Sequence, residues 1–190
     1  MKASDLDSTF WNDLYRNGET RWDVGTVSRP IREYTAQLKD KDIAVLIPGC
    51  GNAHEAAYLH KKGFRNVWVL DHSPAALKNF QKRVPSFPPE HVLRGDFFEH
   101  KGKYDLILEQ TFFCAIAPSL RKRYARHMHA LLNKGGKLAG LLFTKVSGED
   151  GPPYGGNRGE YRKLFLPYFT FHAFGTAYNS IPPRAGRELF

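Results

Sequence analysis

The chain is poor in the residues that build disulfide frameworks, metal centres and membrane anchors. It has two cysteines in 190 residues, Cys50 in a glycine turn and Cys114 in an apolar segment. Two isolated thiols make neither a disulfide framework nor a ligand cluster, so both read as small buried fillers and no metal site is expected. No apolar run approaches the roughly twenty residues that span a bilayer. The opening Met-Lys-Ala-Ser-Asp-Leu-Asp lacks the apolar stretch of a secretion signal, so a cytoplasmic location and no membrane partner are expected. Acidic side chains are scarce too, 19 against 28 lysines and arginines, which leaves a formal net charge of +9. Such an excess can mark a nucleic-acid surface. Here the densest basic group, Arg121-Lys122-Arg123 with Arg126, alternates with Tyr124, Met128 and Leu131 at helical spacing. That pattern reads as a solvated helix face rather than an RNA stripe, and what remains is attraction for a small anionic substrate.

Against these absences stands a regular alternation of apolar runs and amphipathic stretches. The length suits one domain with one core. Helices are expected at about 9–16, at 28–38 with Ser28 as cap and Pro30 in the first turn, and near 53–62, 74–83, 118–132 and 158–166. Strands are expected at about 43–47, 67–70, 91–94, 104–110, 137–144 and 169–177. His72-Ser73-Pro74 supplies a second cap, and Asn133-Lys134-Gly135-Gly136 a helix stop. Short apolar strands interleaved with helices mean a mostly parallel sheet covered on both faces. The closing Arg184–Phe190 segment reads as an edge strand that starts and stops short.

The most informative stretch is Ala44-Val45-Leu46-Ile47-Pro48-Gly49-Cys50-Gly51-Asn52-Ala53, followed by Val67-Trp68-Val69-Leu70-Asp71. An apolar run opens into a glycine turn, and a second run ends on a carboxylate, which is how a βαβ unit receives an adenine nucleoside or nucleotide. Gly49 and Gly51 let a ligand lie against bare backbone at a helix start, and Asp71 is placed to accept from both ribose hydroxyls. The dinucleotide fingerprint requires a third glycine where this chain has His54, which argues against a pyrophosphate and hence against nicotinamide or flavin. S-adenosylmethionine is the expected cofactor.

Further residues gather at the carboxyl ends of later strands. Asp96, after the third, is positioned to accept from the adenine amine, and Phe97 to offer its backbone N–H or ring face. Glu109, Gln110 and Thr111 end the fourth and face the cleft by position, while Phe112 and Phe113 are either substrate-pocket walls or core.

Taken in order, Trp22-Asp23-Val24-Gly25, Leu46-Ile47-Pro48-Gly49-Cys50-Gly51, Asp71, Asp96-Phe97-Phe98, Phe112-Phe113-Cys114-Ala115-Ile116 and Gly151-Pro152-Pro153-Tyr154 resemble the thiopurine S-methyltransferase superfamily, and within it most nearly the plant halide and thiol (thiocyanate) methyltransferases. The similarity runs from about Trp11 to Arg187. It implies a class I S-adenosylmethionine-dependent methyltransferase fold, a Rossmann-like α/β domain with a seven-stranded sheet, here with a short last strand. It also implies methyl transfer to a soft small nucleophile such as a thiol, thiopurine, thiocyanate or halide. The implied cofactor contacts are Trp11, Tyr15, Trp22, Gly49, Asp71, Asp96, Phe97 and Gln110, with Gly51 from the turn itself. Tyr15 stands where the plant enzymes usually have tryptophan, and Gln110 where they have tyrosine.

Methyl transfer from a sulfonium needs alignment in a dry pocket more than it needs a base. Residues 1–38 are accordingly expected to carry two helices and a lid of Trp11, Tyr15 and Trp22 over a core of residues 39–190. Tyr154 is expected to close the pocket and orient the acceptor. Two other classes stay open: an RNA methyltransferase, suggested by charge, and a non-catalytic S-adenosylmethionine-binding protein.

Overall fold

The computed structural model describes residues 5–144, 146 and 151–190. Six strands form one sheet in the order β3-β2-β1-β4-β5-β6: β1 Val45–Pro48, β2 Val67–Asp71, β3 Val92–Arg94, β4 Tyr104–Gln110, β5 Leu132–Phe143 and β6 Glu188–Leu189. The first five are parallel, and β6 runs antiparallel to β5. Six helices cover it: α1 Ser8–Asn17, α2 Arg29–Ala36, α3 His54–Lys61, α4 Pro74–Arg83, α5 Arg121–Ala130 and α6 Arg158–Phe165.

Alternation along β1 explains the layering. Val45 and Ile47 pack with Val27, Ile31, Leu59, Val69 and Phe80 on one face, while Leu46 joins Leu70, Ile107, Phe113, Tyr124 and Met128 on the other. Both faces are therefore apolar, as a helix-covered parallel sheet requires. The chain leaves β1 toward β2 and β3 on one side and returns to β4 and β5 on the other, so a crevice opens where the carboxyl ends of β1 and β4 diverge.

Local signals place most boundaries. Asp7 caps α1 through Phe10 N–H, Ser73 caps α4 through Ala76 N–H, and Pro74 occupies the first turn of α4. Three expectations change. The strand expected at 169–177 is not one: Tyr168 and Phe169 donate back to Phe165 as an extension of α6, and only Gly175 to Ala177 pairs with the last residues, Thr176 bridging Leu189. The sheet thus has six strands among the described residues rather than seven. Asn133–Gly136 lies inside β5, at a register shift opposite Tyr104 to Leu106, because the helix has already ended at Leu131. Ser28 precedes α2 without a side-chain cap, its hydroxyl being spent elsewhere. No helix among the described residues is long and apolar enough to cross a membrane, and none of their His, Cys, Asp and Glu side chains cluster as metal ligands.

Candidate active site

The crevice holds a cavity of about 660 Å³. Its floor is the glycine turn after β1. Gly49 and Gly51 have φ of 57° and 52°, the left-handed region that a side chain rarely adopts. A Cβ at Gly49 would overlap the Phe112 ring, and one at Gly51 would overlap the Tyr15 hydroxyl. The bare backbone is needed for conformation and for close approach alike.

Asp71 ends β2 beside this turn. One carboxylate oxygen accepts from Gly51 N–H and the other from Ser73 N–H, both at 2.8 Å, so the acid ties the end of β2 to the end of β1. Each oxygen retains a lone pair, and the residue lines the cavity while only 8% exposed. Burial raises its pKa, and the two backbone donors oppose that rise.

At the cavity mouth Trp22 meets Trp11 and Tyr15 edge to face, with ring centroids 5.5 and 5.8 Å apart, and Trp22 Nε1 donates to Tyr15 Oη at 3.2 Å. Burial and the neighbouring Asp71 push the Tyr15 phenol well up, so it stays protonated. Two contacts hold this cluster. Asn12 of α1 accepts from Ala75 N–H at the start of α4, and Arg184 Nη2 donates to the Trp22 carbonyl at 2.7 Å. On the β3 side, Asp96 caps a short turn through Phe98 N–H while Phe97 packs edge-on against Phe112. On the β4 side, Gln110 Oε1 accepts from Ser28 Oγ at 2.7 Å, which is where the hydroxyl of Ser28 went.

Every cofactor residue expected from the sequence, Trp11, Tyr15, Trp22, Gly49, Gly51, Asp71, Asp96, Phe97 and Gln110, lines this one cavity, as does Phe112. Three expectations are corrected. Phe113 is 1% exposed and packs on Tyr124, Tyr161 and Phe165, so it belongs to the core and not to the substrate pocket. Tyr154 does not line the cavity. Its N–H donates to the Cys114 carbonyl and its own carbonyl accepts from Arg121, which ties the segment to the 112–116 turn and to α5. Glu109 points away from the cleft, since its neighbour Gln110 points into it and strand side chains alternate. Its carboxylate accepts from Phe112 N–H, Phe113 N–H and Tyr124 Oη.

Sequence reasoning missed Ser28, Asp23, Asn52 and His54, all of which line the cavity. His54 had registered only as the absence of a glycine. Thr111, expected to face the cleft, does line the cavity, and its φ of 60° in the turn after β4 is a strained conformation for a β-branched residue, of the kind found at ligand sites. Burial raises the pKa of both Cys50 and Cys114, which holds each as a protonated thiol.

The cavity suits S-adenosylmethionine. Two buried polar atoms in its wall, Asn52 Oδ1 and Gln110 Nε2, lack a partner among the described residues, one an acceptor and one a donor. Together with Asp71, the bare glycine backbone and the aromatic mouth, they supply the donors, acceptors and flat surfaces that an adenosine with a charged amino-acid tail would engage.

Comparison with known proteins points the same way. A family model described as thiopurine S-methyltransferase matches residues 6–187. The chain is 32% identical over 192 residues to a probable thiol methyltransferase 2 of Arabidopsis thaliana, covering 97% of this chain and 84% of that protein. It is 30% identical over 186 residues to thiocyanate methyltransferase 1 of Brassica oleracea, covering 94% and 81%. Among solved structures, magnesium protoporphyrin IX methyltransferase of Synechocystis PCC 6803 with bound S-adenosylmethionine matches with a TM-score of 0.77 at 16% identity, over 100% of this chain and 96% of that one, a likeness of fold. With a model spanning nearly its full length and relatives at these identities, the chain belongs to the thiopurine S-methyltransferase family.

Proposed function

We propose that this S-adenosylmethionine-dependent methyltransferase delivers the methyl group to a small soft nucleophile, a thiol or thiocyanate foremost, inside the cavity between the glycine turn and the N-terminal aromatic cluster. One observation carries the reading. Asp71 is held by Gly51 and Ser73 N–H groups at the cavity wall, with lone pairs left for a ribose. Asp96 and Phe97 take the adenine, and Gln110 the edge of the nucleoside. Residues 1–38 serve as the lid of a single domain whose core is residues 39–190.

When bound, S-adenosylmethionine supplies a methyl carbon already activated on sulfur. The protein's work is then to align and to dry. Trp11, Tyr15 and Trp22 exclude water from one side, and Phe112 limits the space against the turn; fixing the reactants in line this way is worth about 7–11 kcal/mol. No side chain need remove a proton. An ordinary thiol with a pKa of about 8.5 is a few per cent ionised at neutral pH, and the positive net charge favours arrival of the anion. Glu109, next to the pocket residue Gln110, is already engaged by three donors.

The test is direct. Calorimetry with S-adenosylhomocysteine should register binding, and a screen of thiols, thiopurines, thiocyanate, sulfide and iodide with methyl-labelled cofactor should give label transfer to a sulfur acceptor. Transfer to RNA alone, or to nothing in the presence of tight cofactor binding, would overturn the acceptor assignment.

A further inference from the structure

Asp23, in the loop between α1 and α2, gathers three donors: Asn52 Nδ2, His54 Nε2 at 2.7 Å and Gly25 N–H at 2.7 Å. Asn52 belongs to the glycine turn and His54 opens α3, so a loop acid reaches across to the cofactor turn. The Asp23 and His54 side chains are 14% and 16% exposed. Burial pushes the Asp23 carboxyl up, but the bonds from His54, Asn52 and Gly25 outweigh it and hold the group below the usual carboxylate range. Arg83 of α4 binds the Asn52 carbonyl and steadies the same turn.

A charged carboxylate cannot donate, so the Asn52 side chain must present its nitrogen to Asp23. The amide therefore has one orientation, and Oδ1 is left over. That oxygen is buried, belongs to a residue of the cavity wall and has no partner among the described residues. A buried carbonyl oxygen without a donor is costly, and a ligand that brings an N–H there removes the cost. The methionine portion of the cofactor carries such a donor in its charged amino group, while its adenosine portion is already allotted to Asp71, Asp96 and Phe97.

We propose that Asn52 binds the cofactor's amino group through Oδ1, and that Asp23 and His54 are positioning residues that fix the amide in that orientation. The proposal rests on the S-adenosylmethionine reading of this cavity. It gives the histidine that replaces a fingerprint glycine a task, since His54 helps set the Asp23 carboxylate that turns Asn52.

Two ligands separate the roles: S-adenosylhomocysteine, which has the amino group, and 5′-methylthioadenosine, which keeps the adenosine and lacks the amino-acid tail. By calorimetry, Asn52→Ala is expected to weaken S-adenosylhomocysteine about tenfold, the size of one hydrogen bond to a charged donor, and to leave 5′-methylthioadenosine unchanged. Asp23→Ala should show the same selectivity and, without any ligand, faster hydrogen exchange at the Gly25 amide. Asp23→Asn, which keeps an acceptor oxygen, should lose less. Equal weakening of both ligands by Asn52→Ala, or no weakening of either, overturns the assignment while leaving the cofactor reading intact. Failure of the unaltered protein to bind either ligand would remove the cofactor reading and this inference with it.

Discussion

Asp71 and Glu109 are both buried acids near the carboxyl ends of β2 and β4, the two parallel strands that flank β1, and each accepts two backbone N–H bonds from the turn that follows or faces it. They nevertheless do opposite work. Asp71 lines the cavity with lone pairs to spare, whereas Glu109 lies on the other face of β4 and is closed off by Tyr124. One residue of register decides this, since Gln110 takes the cleft-facing position that Glu109 lacks. A carboxylate at a strand end thus faces the cavity or closes off a turn according to parity, and the closed-off acid shapes the cavity indirectly by holding the 111–113 turn against Gly49.

Exchanging each acid for a neutral residue tests this division, and the largest effect is expected at Asp71. Asp71→Ala removes the acceptor proposed for the ribose hydroxyls, and the expected loss is about 3 kcal/mol or roughly a hundredfold in affinity for S-adenosylhomocysteine by calorimetry. Unchanged affinity would take Asp71 out of the site. For Glu109→Gln the readout is stability against pH. Burial holds the Glu109 pKa at about 7, above its ordinary 4.5, in spite of the hydrogen bonds from Tyr124, Phe113 and Phe112. The folded chain therefore keeps a proton that the unfolded chain releases between those values. Its stabilising contribution is complete below pH 4.5 and is lost as pH rises through 7. At about 1.36 kcal/mol per pH unit this amounts to up to about 3 kcal/mol. Thermal melting from pH 5 to 8 should show the unaltered chain falling more steeply than Glu109→Gln; parallel curves would mean that the acid is ionised throughout.

The same parity explains how far the sequence could be read. The placement of the glycine turn and Asp71 at the cavity was legible because the geometry imposes residue type and spacing: no side chain at two left-handed positions, then an acid one strand later that accepts from the turn. The six helices were legible from apolar period, caps and prolines. Phe113 and Glu109 were not, because an apolar run passing into polar residues does not say on which residue the strand's inward face ends. The strand expected at 169–177 failed for a related reason: Tyr168, Phe169, Phe171 and Phe174 have strand-like composition, yet Tyr168 and Phe169 are taken up by the end of α6, while Phe171 and Phe174 pack on the core by their side chains. The Asp23, Asn52 and His54 cluster joins segments 29 to 31 residues apart, and no local period announces such a pairing.

Smaller effects sharpen the boundary between site and support. Ser28→Ala frees Gln110 Oε1 without opening the cavity wall, and a single neutral hydrogen bond is worth about 0.5–1.5 kcal/mol. A several-fold loss of cofactor affinity with little change in melting temperature is expected, and a larger drop in melting than in binding would make Ser28 a structural residue of α2.

Tyr154 should respond least. Its hydroxyl is buried without a partner among the described residues, and the backbone of its segment is fixed by Cys114 and Arg121 outside the cavity. A buried hydroxyl without a partner among the described residues carries a desolvation cost that none of their contacts offsets, so Tyr154→Phe is expected to remove a cost instead of a contact. Melting should stay level or rise by about 2–4 °C, the shift that about 1 kcal/mol produces in a chain of this size. The acceptor KM should stay within about twofold, below 1 kcal/mol by the same conversion. A tenfold rise in acceptor KM at constant cofactor affinity would return Tyr154 to the substrate pocket, because a side chain outside the cavity has no means of distinguishing the two ligands.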